Sequence, residues 1–515
     1  MILSWPVRVS IGAAITIAAS ASLCFFYWQG LTDIYGDAMA HMEGARRLFD
    51  SLTPGYEEIG TVWLPLPHLL AAPLAINDFL WKTGLAGSFV STAALIVTAW
   101  FVFRLATEMN REAIAGVVAL AGFLVCPNML YLASTPLTEP LAILWMVLMV
   151  YGLYRYQESG GVGALIGASA AAFCGTWTRY DGWSVLPFAA LFVLLARPGP
   201  WRQRIRHALL FSLIAGAGPA LWLLHNAYRY GNALAFYNGP YSALAIYAHQ
   251  VATTAFRFPT DGSVAVSARY FLEDLKLVIG AGPLTLALLG LVAWATDERD
   301  RRRRAVALLF LVPLPFNIQA MAHSAVPLYV PTLFPNTYWN LRLGMEMLPA
   351  VAVLPAFLLV PGLPRRMRRG VALMVLAIVV GQAVLIASHG ARELVIAKEG
   401  IMNNPCRSKR QQALARVLRG VYDGGNILIA QGKWPCAMRQ LDIPFRKTLT
   451  DTNRRFRQSL RTEPSRLVEW IVRGEDDDVD ILMRAYPQAF KDFAPVFRAT
   501  FPGEGSLEIY RRRRG

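Results

Sequence analysis

Long apolar blocks, rather than the short alternations of half-buried helices or strands, set the pattern of this chain. Windows near 7–28, 84–103, 113–132, 138–154, 161–178, 183–197, 207–225, 275–295, 305–323, 343–361 and 371–388 are apolar almost throughout. Each approaches the roughly 20 residues a helix needs to cross a hydrocarbon core of about 30 Å, so the pattern predicts eleven spans. A twelfth block, 63–82, is interrupted by Pro65, Pro67, Pro73, Asn77 and Asp78. Whether it crosses decides the side on which every later loop lies.

The basic residues settle that question. With Met1 inside and 63–82 not crossing, one side collects Arg104 and Arg111, Arg155, Arg197 with Arg202, Arg204 and Arg206, Arg299 with Arg301–Arg304, and Arg365, Arg366, Arg368 and Arg369. Cytoplasmic loops are enriched in Lys and Arg, and a crossing at 63–82 would export all of these clusters. Residues 63–82 therefore read as a Pro-broken helix in the outer interface, within a long outer loop, 29–83. The first block is too long for a secretory leader, has no basic region before it and no small-residue cleavage site after it, and reads as a retained span. After Ser388 the apolar blocks end. Residues 389–515 hold strand-like 427–430 and 479–483 and helix-like 408–420 and 464–473. The fold class expected is an α-helical polytopic membrane protein, with a transmembrane part over 1–388 and an extracytoplasmic α/β domain over 389–515.

Composition agrees. Of 515 residues, 55% are hydrophobic and 16% charged, with a mean hydropathy of +0.38. A soluble domain sits nearer 45–50% apolar and roughly 25% charged. The balance of 50 Lys and Arg against 34 Asp and Glu, a net +16, would in a soluble protein suggest nucleic acid. Here membrane orientation accounts for it, and no nucleic-acid partner is expected. Residues 389–515 hold 24 basic against 15 acidic residues, a net +9 ending in arginines 511–514. That suits either anionic headgroups or a solvated basic surface. The five cysteines show no metal-ligand spacing. Cys406 and Cys436 are the two in the outer domain, where an oxidising compartment would let them pair, while Cys24, Cys126 and Cys174 read as small buried residues in spans. A soluble enzyme, a disordered chain and a disulfide scaffold are excluded.

A transporter would concentrate ionisable groups mid-membrane, often in broken helices of repeated halves. In this chain the informative charges gather at the outer ends of spans and in the loop 29–83. Around Asp37, the residues Ala38, Met42, Ala45 and Phe49 form an apolar stripe at helical spacing, with Asp37 and His41 on another face. Such a helix can lie in the interface and present a carboxylate to a cleft; alternatively, Asp37 caps the helix and His41 is solvated. Glu139, between Thr138 and Pro140, opens the fourth span, where a cap, an early proline and an acid are good helix-start chemistry. Two arginines run against the sorting bias: Arg179, followed by Tyr180 and Asp181, and Arg342. Each guanidinium can fork onto a phosphate, or pair locally, Arg179 with Asp181 and Arg342 with Glu346.

Gly36-Asp37-Ala38-Met39-Ala40-His41, the following Ala45-Arg46-Arg47-Leu48, Trp63-Leu64-Pro65-Leu66-Pro67-His68, Leu137-Thr138-Glu139, the Arg179-Tyr180-Asp181-Gly182-Trp183 turn and Asn340-Leu341-Arg342 with Pro349 occur in an order that resembles the GT-C superfamily. These are membrane glycosyltransferases that use polyprenyl-phosphate sugars, and the likeness is to the protein O-mannosyltransferase and lipid A aminoarabinose transferase branch, over about residues 1–390. The resemblance implies that Asp37 is the catalytic carboxylate, that Glu139 is the acid of the second outer loop and that Arg342 lies near the lipid phosphate. The chain departs from the family at Ala38, where a second acid is common, and at Thr61 and Val62, where a basic residue often precedes the double-proline helix.

That chemistry needs a base for the acceptor hydroxyl, which Asp37 can supply, and stabilisation of the departing phosphate. Arg342 and Arg179 suit the phosphate, with His41, His68, Tyr180 and Asp181 as substrate-binding candidates. A divalent cation, Mg or Mn, is the other means, with Asp37 and Glu139 as its candidate ligands. Inversion by direct displacement is the expected course. The expected partners are a polyprenyl-phosphate-linked sugar donor, a glycan, lipid or protein acceptor, and membrane lipids. The expected place is the inner membrane, with the N-terminus cytoplasmic and the active site and C-terminal domain periplasmic. A lipid-linked sugar flippase, a solute transporter and a diphosphate-donor oligosaccharide ligase or polymerase are the alternatives.

Overall fold

In the computed structural model, which describes residues 4–298, 300–360, 362–450 and 455–513, the chain forms two compact units. One comprises Met1–Thr32, Gly60–Leu70 and Gly87–Met402, and the other Asp33–Ile59, Ala71–Ala86 and Asn403–Gly515. This grouping cuts across a division at residue 388, because most of the loop 29–83 packs with the C-terminal residues. Arg299 and Arg514 lie outside the described residues.

Each apolar window of the first unit contains helix. Among the described residues six helices, against eleven expected spans, are long and apolar enough to cross a membrane: Trp5–Trp28, Leu85–Asn110, Trp201–Tyr230, Arg301–His323, Leu341–Leu358 and Arg365–Ala387. A seventh span results if Val264–Val278 and Ala281–Thr296, bent by 113°, count as one. Gly280 makes that bend, with φ at +103°, where a side chain would be strained and would meet Gln382. Shorter apolar helices, Ala113–Leu124, Val162–Thr176 and Asp181–Ala196, account for further windows. Windows that read as continuous are interrupted. The 343–361 window begins as a 3-10 helix, Leu341–Met347, continues as Leu348–Val353 and ends as a 3-10 turn, Leu354–Leu358. Pro349 and Pro355 sit at the start of the last two, where the missing N–H costs nothing. The 63–82 block forms two helices, Leu66–Ala75 and Asp78–Lys82. Pro73 lies within the first of these; the second begins where the Asn77 side chain accepts from Leu80 N at 3.1 Å. Cys126 is buried, whereas Cys24 is exposed on its apolar helix, contrary to the expectation for it.

The second unit is built on a mixed five-stranded sheet. Its strands are β1 (Ile427–Leu428), β2 (Thr448–Leu449), β3 (Trp470–Gly474), β4 (Phe493–Phe501) and β5 (Gly505–Arg512), in the order β2-β1-β3-β5-β4. The first two junctions are parallel and the last two antiparallel. Alternating side chains serve both faces. Trp470 and Val472 pack with Leu414 and Leu418, and Ile471 with Val479 and Leu482. Met42, Ala45, Ala71, Ala75 and Trp81 share the first of these cores. The apolar stripe of the helix Gly36–Arg47 is thus filled by protein. Arg46 closes the neighbouring helix end by donating to Ala75 O and Ile76 O at 2.9 and 2.8 Å.

The helix expected over 408–420 is Lys409–Val421, capped by Ser408. Two other expectations are reversed. Residues 479–483 lie in a helix, Asp478–Ala485, because Asp477 caps it at Asp480 N, 2.8 Å away. The helix expected over 464–473 is a 3-10 turn followed by β3, whose run of buried apolar side chains suits a central strand. Arg511 belongs to β5, pairs with Asp423 and stands over Trp470, so the terminal arginines are not all a free basic tail. Cys406 and Cys436 form a disulfide.

Glu43, on the helix Gly36–Arg47 and 2% exposed, is pushed up from 4.5 to about 7 by burial, with Arg47 pulling it down. An acid whose folded pKa is raised binds more protons when folded than when unfolded. Its stabilising effect is present below pH 4.5 and is lost as pH rises through about 7. Glu43→Gln should therefore stabilise the protein by roughly 3 kcal/mol at pH 8 and by roughly 1 kcal/mol or less at pH 5. Thermal melting across that range checks this, and parallel curves for the two proteins would refute it.

Candidate active site

Arg342 sits on a helix start fixed from outside. Asn340 adopts the left-handed conformation, φ +59°, which Asn tolerates better than most residues. The Glu399 carboxylate then accepts from Asn340 N at 2.7 Å and Leu341 N at 2.9 Å. Asp274 accepts from Gly344 N at 3.0 Å, an approach a Cβ at residue 344 would block. A helix leaves its first N–H groups unsatisfied and carries partial positive charge there, so two buried carboxylates are well matched to it.

Around that start, charges converge. Glu139, fully buried, receives Arg179 Nη1 at 2.8 Å and lies 3.2 Å from Arg342 Nε. Arg179 also reaches Glu346 at 2.9 Å and Asp181 at 3.5 Å. Asn317 donates to the other oxygen of Glu346 at 2.9 Å. Burial disfavours the Arg179 charge, but Glu139, Glu346 and Asp181 outweigh it and raise the guanidinium pKa above its ordinary value. The Thr138 side chain makes no cap bond and instead accepts from Arg179 at 3.3 Å.

Arg179 does pair with Asp181, but the structure gives Glu346 to Arg179 and Arg342 to Glu139. Because Leu341–Met347 is a 3-10 helix, residues four apart are about 120° out of register rather than stacked. A small, mostly apolar cavity of about 30 Å³ lies alongside, lined by Trp145, Met146 and Met149 together with Asp181 and Glu346.

The remaining candidates hold positions elsewhere. Tyr180 donates to Val62 O at 2.6 Å, accepts from Trp222 Nε1 at 3.1 Å and stacks on Phe236, which makes it an anchor for the 60–66 segment. His225 contacts Gly60 O at 2.9 Å and Thr61 bonds Asn226, completing that anchor. His68 is buried beside Trp63. In the second unit, Asp37 is half-buried in the first turn of Gly36–Arg47; Tyr35, not Asp37, holds the cap position, and His41 is buried rather than solvated. Asn317, Glu399 and Asp274 were not singled out by the sequence, and Glu346 entered only as a local partner of Arg342.

No protein-family model matches the chain, and no curated protein sequence does. Among solved structures, ArnT from Cupriavidus metallidurans bound to undecaprenyl phosphate aligns over 98% of both chains, with a TM-score of 0.55 and 12% identity. Its apo form gives 0.53 and 14% over the same shares. The chain shares the fold of ArnT. The mostly helical architecture with a small C-terminal sheet, in line with the α-helical class expected from the apolar windows, is thus one that ArnT shares.

Within this ArnT-like fold, the donor set at Glu139 does not suit a cation. Two guanidiniums share its Oε1 and already supply the positive charge there, and no group of three His, Cys, Asp or Glu able to hold a metal ion occurs among the described residues. The cluster instead fixes Arg342. Removing one partner of a buried ion pair strands the other charge, at a cost of about 3–5 kcal/mol. Glu139→Gln should destabilise the protein on that scale, and adding Arg179→Met should cost much less than the sum of the single changes. Denaturation of the two single variants and the double variant in detergent reads this; strict additivity would refute the network.

Proposed function

We propose that the chain is a membrane glycosyltransferase that moves a sugar from a polyprenyl-phosphate donor to an extracytoplasmic acceptor. The observation that carries this reading is the ArnT-like fold along 98% of both chains, the compared ArnT having been crystallised with undecaprenyl phosphate. The order of the motifs around Asp37, Glu139 and Arg342 supports it. The distribution of cytoplasmic arginines supports an inner-membrane protein with a periplasmic reaction centre.

In this reading Asp37 takes the proton from the acceptor hydroxyl as its oxygen attacks the anomeric carbon. The bond from that carbon to the phosphate oxygen breaks as the new glycosidic bond forms, so the configuration inverts. Arg342 stabilises the phosphate that leaves, through charge-assisted hydrogen bonds. Arg179 stays on its three carboxylates and holds Glu139 in place to orient Arg342.

Membranes containing the full-length chain, supplied with a panel of radiolabelled undecaprenyl-phosphate sugars, provide the test. Asp37→Asn and Asp37→Ala should each lower transfer by about a hundredfold or more while the protein still accumulates in the membrane. Wild-type transfer by both variants would remove Asp37 from the chemistry.

A further inference from the structure

Within the second unit, the helix that carries Asp37 is gripped from two sides by residues flanking one disulfide. Arg439 follows Cys436 by three residues on the helix Pro435–Gln440. Its side chain is 6% exposed, and Nη2 donates to Met39 O at 3.1 Å, two residues beyond Asp37. Nη1 donates to Lys82 O at 3.4 Å, and the guanidinium forms an ion pair with Asp33, at the entry to the Asp37 helix. One buried cation thus ties together three stretches of the loop 29–83. On the other side of the disulfide, Pro405 precedes Cys406, and its Cγ lies 3.4 Å from where a Cβ on Gly36 would stand. Gln411 completes the frame by accepting from Ala437 N at 3.1 Å.

We propose that Arg439 is a positioning residue for Asp37, and that the Cys406–Cys436 disulfide holds it in register. Buried guanidinium bonds to backbone carbonyls fix a helix in translation and rotation, which a purely apolar contact does not. The C-terminal segment is then part of what aims the carboxylate. The functional part of this inference rests on the reading of Asp37 as the base; the mechanical part does not.

Full-length protein in liposomes, with Arg439→Met, Arg439→Lys and Asp33→Asn, separates the two. In Arg439→Met, amide hydrogen exchange over 36–47 should rise at least tenfold while 409–421 is unchanged. Transfer from whichever undecaprenyl-phosphate sugar supports wild-type turnover should lose at least tenfold in kcat, with KM for the donor within twofold, as expected for a displaced catalytic group. Arg439→Lys should recover part of both effects. In an Asp37→Asn background, Arg439→Met should cost nothing further. Reduction and alkylation of the disulfide should raise exchange over the same 36–47 segment.

Unchanged exchange over 36–47 would overturn the proposal, as would a uniform rise across 403–513 that Asp33→Asn reproduces. If Asp37→Asn is inactive while Arg439→Met turns over at the wild-type rate, the positioning role fails and the base survives. If Asp37→Asn transfers normally, the base fails, and hydrogen exchange alone then decides the clamp.

Discussion

Two guanidiniums and three carboxyls buried at the ends of apolar helices cannot stand apart, because an unpaired charge in such surroundings costs several kcal/mol. The pairings of Glu139 with Arg179 and Arg342, and of Glu346 with Arg179, are therefore a constraint on how the first unit assembles. They join the start of the helix Glu139–Ser159, the turn before Asp181–Ala196 and the 3-10 start at Leu341. Each of these is otherwise an apolar element that could slide along its neighbours. Within that frame Arg342 is aimed by Glu139, and its backbone by Glu399 and Asp274.

The second unit solves a different problem with related means. Its sheet takes apolar side chains from the loop 29–83 as well as from its own helices, so Met42, Ala45 and Trp81 become core residues of the C-terminal segment. Asp37 is half-buried on a helix that is fixed by that core and by Arg439. In the proposed function the Asp37 carboxylate is thus mounted on a helix held by packing and hydrogen bonds, as a positioned base would need to be.

The apolar windows, the end of the apolar blocks after Ser388 and the unusual placement of Glu139, Arg179 and Arg342 were legible because they depend on composition, length and charges placed against a bias. What was not legible depends on local chemistry or distant packing. The 479–483 segment carries apolar residues that suit a strand, and only the Asp477 cap makes it a helix. Glu346 was assigned to Arg342 on α-helical spacing, which the 3-10 geometry of Leu341–Met347 removes. Glu399 and Asp274 lie far in sequence from the backbone groups they hold, and no local pattern announces them. The stripe through Met42 and Ala45 was visible, but a stripe alone does not say whether lipid or protein covers it.

The most direct measurement is a structure of the full-length chain with undecaprenyl phosphate bound. A phosphate oxygen should lie within about 3 Å of the Arg342 guanidinium, with Arg179 still on Glu139 and Glu346. A phosphate seated on Arg179 with the carboxylate cluster broken, or bound remote from both arginines, would contradict the central claim that the buried network exists to aim Arg342.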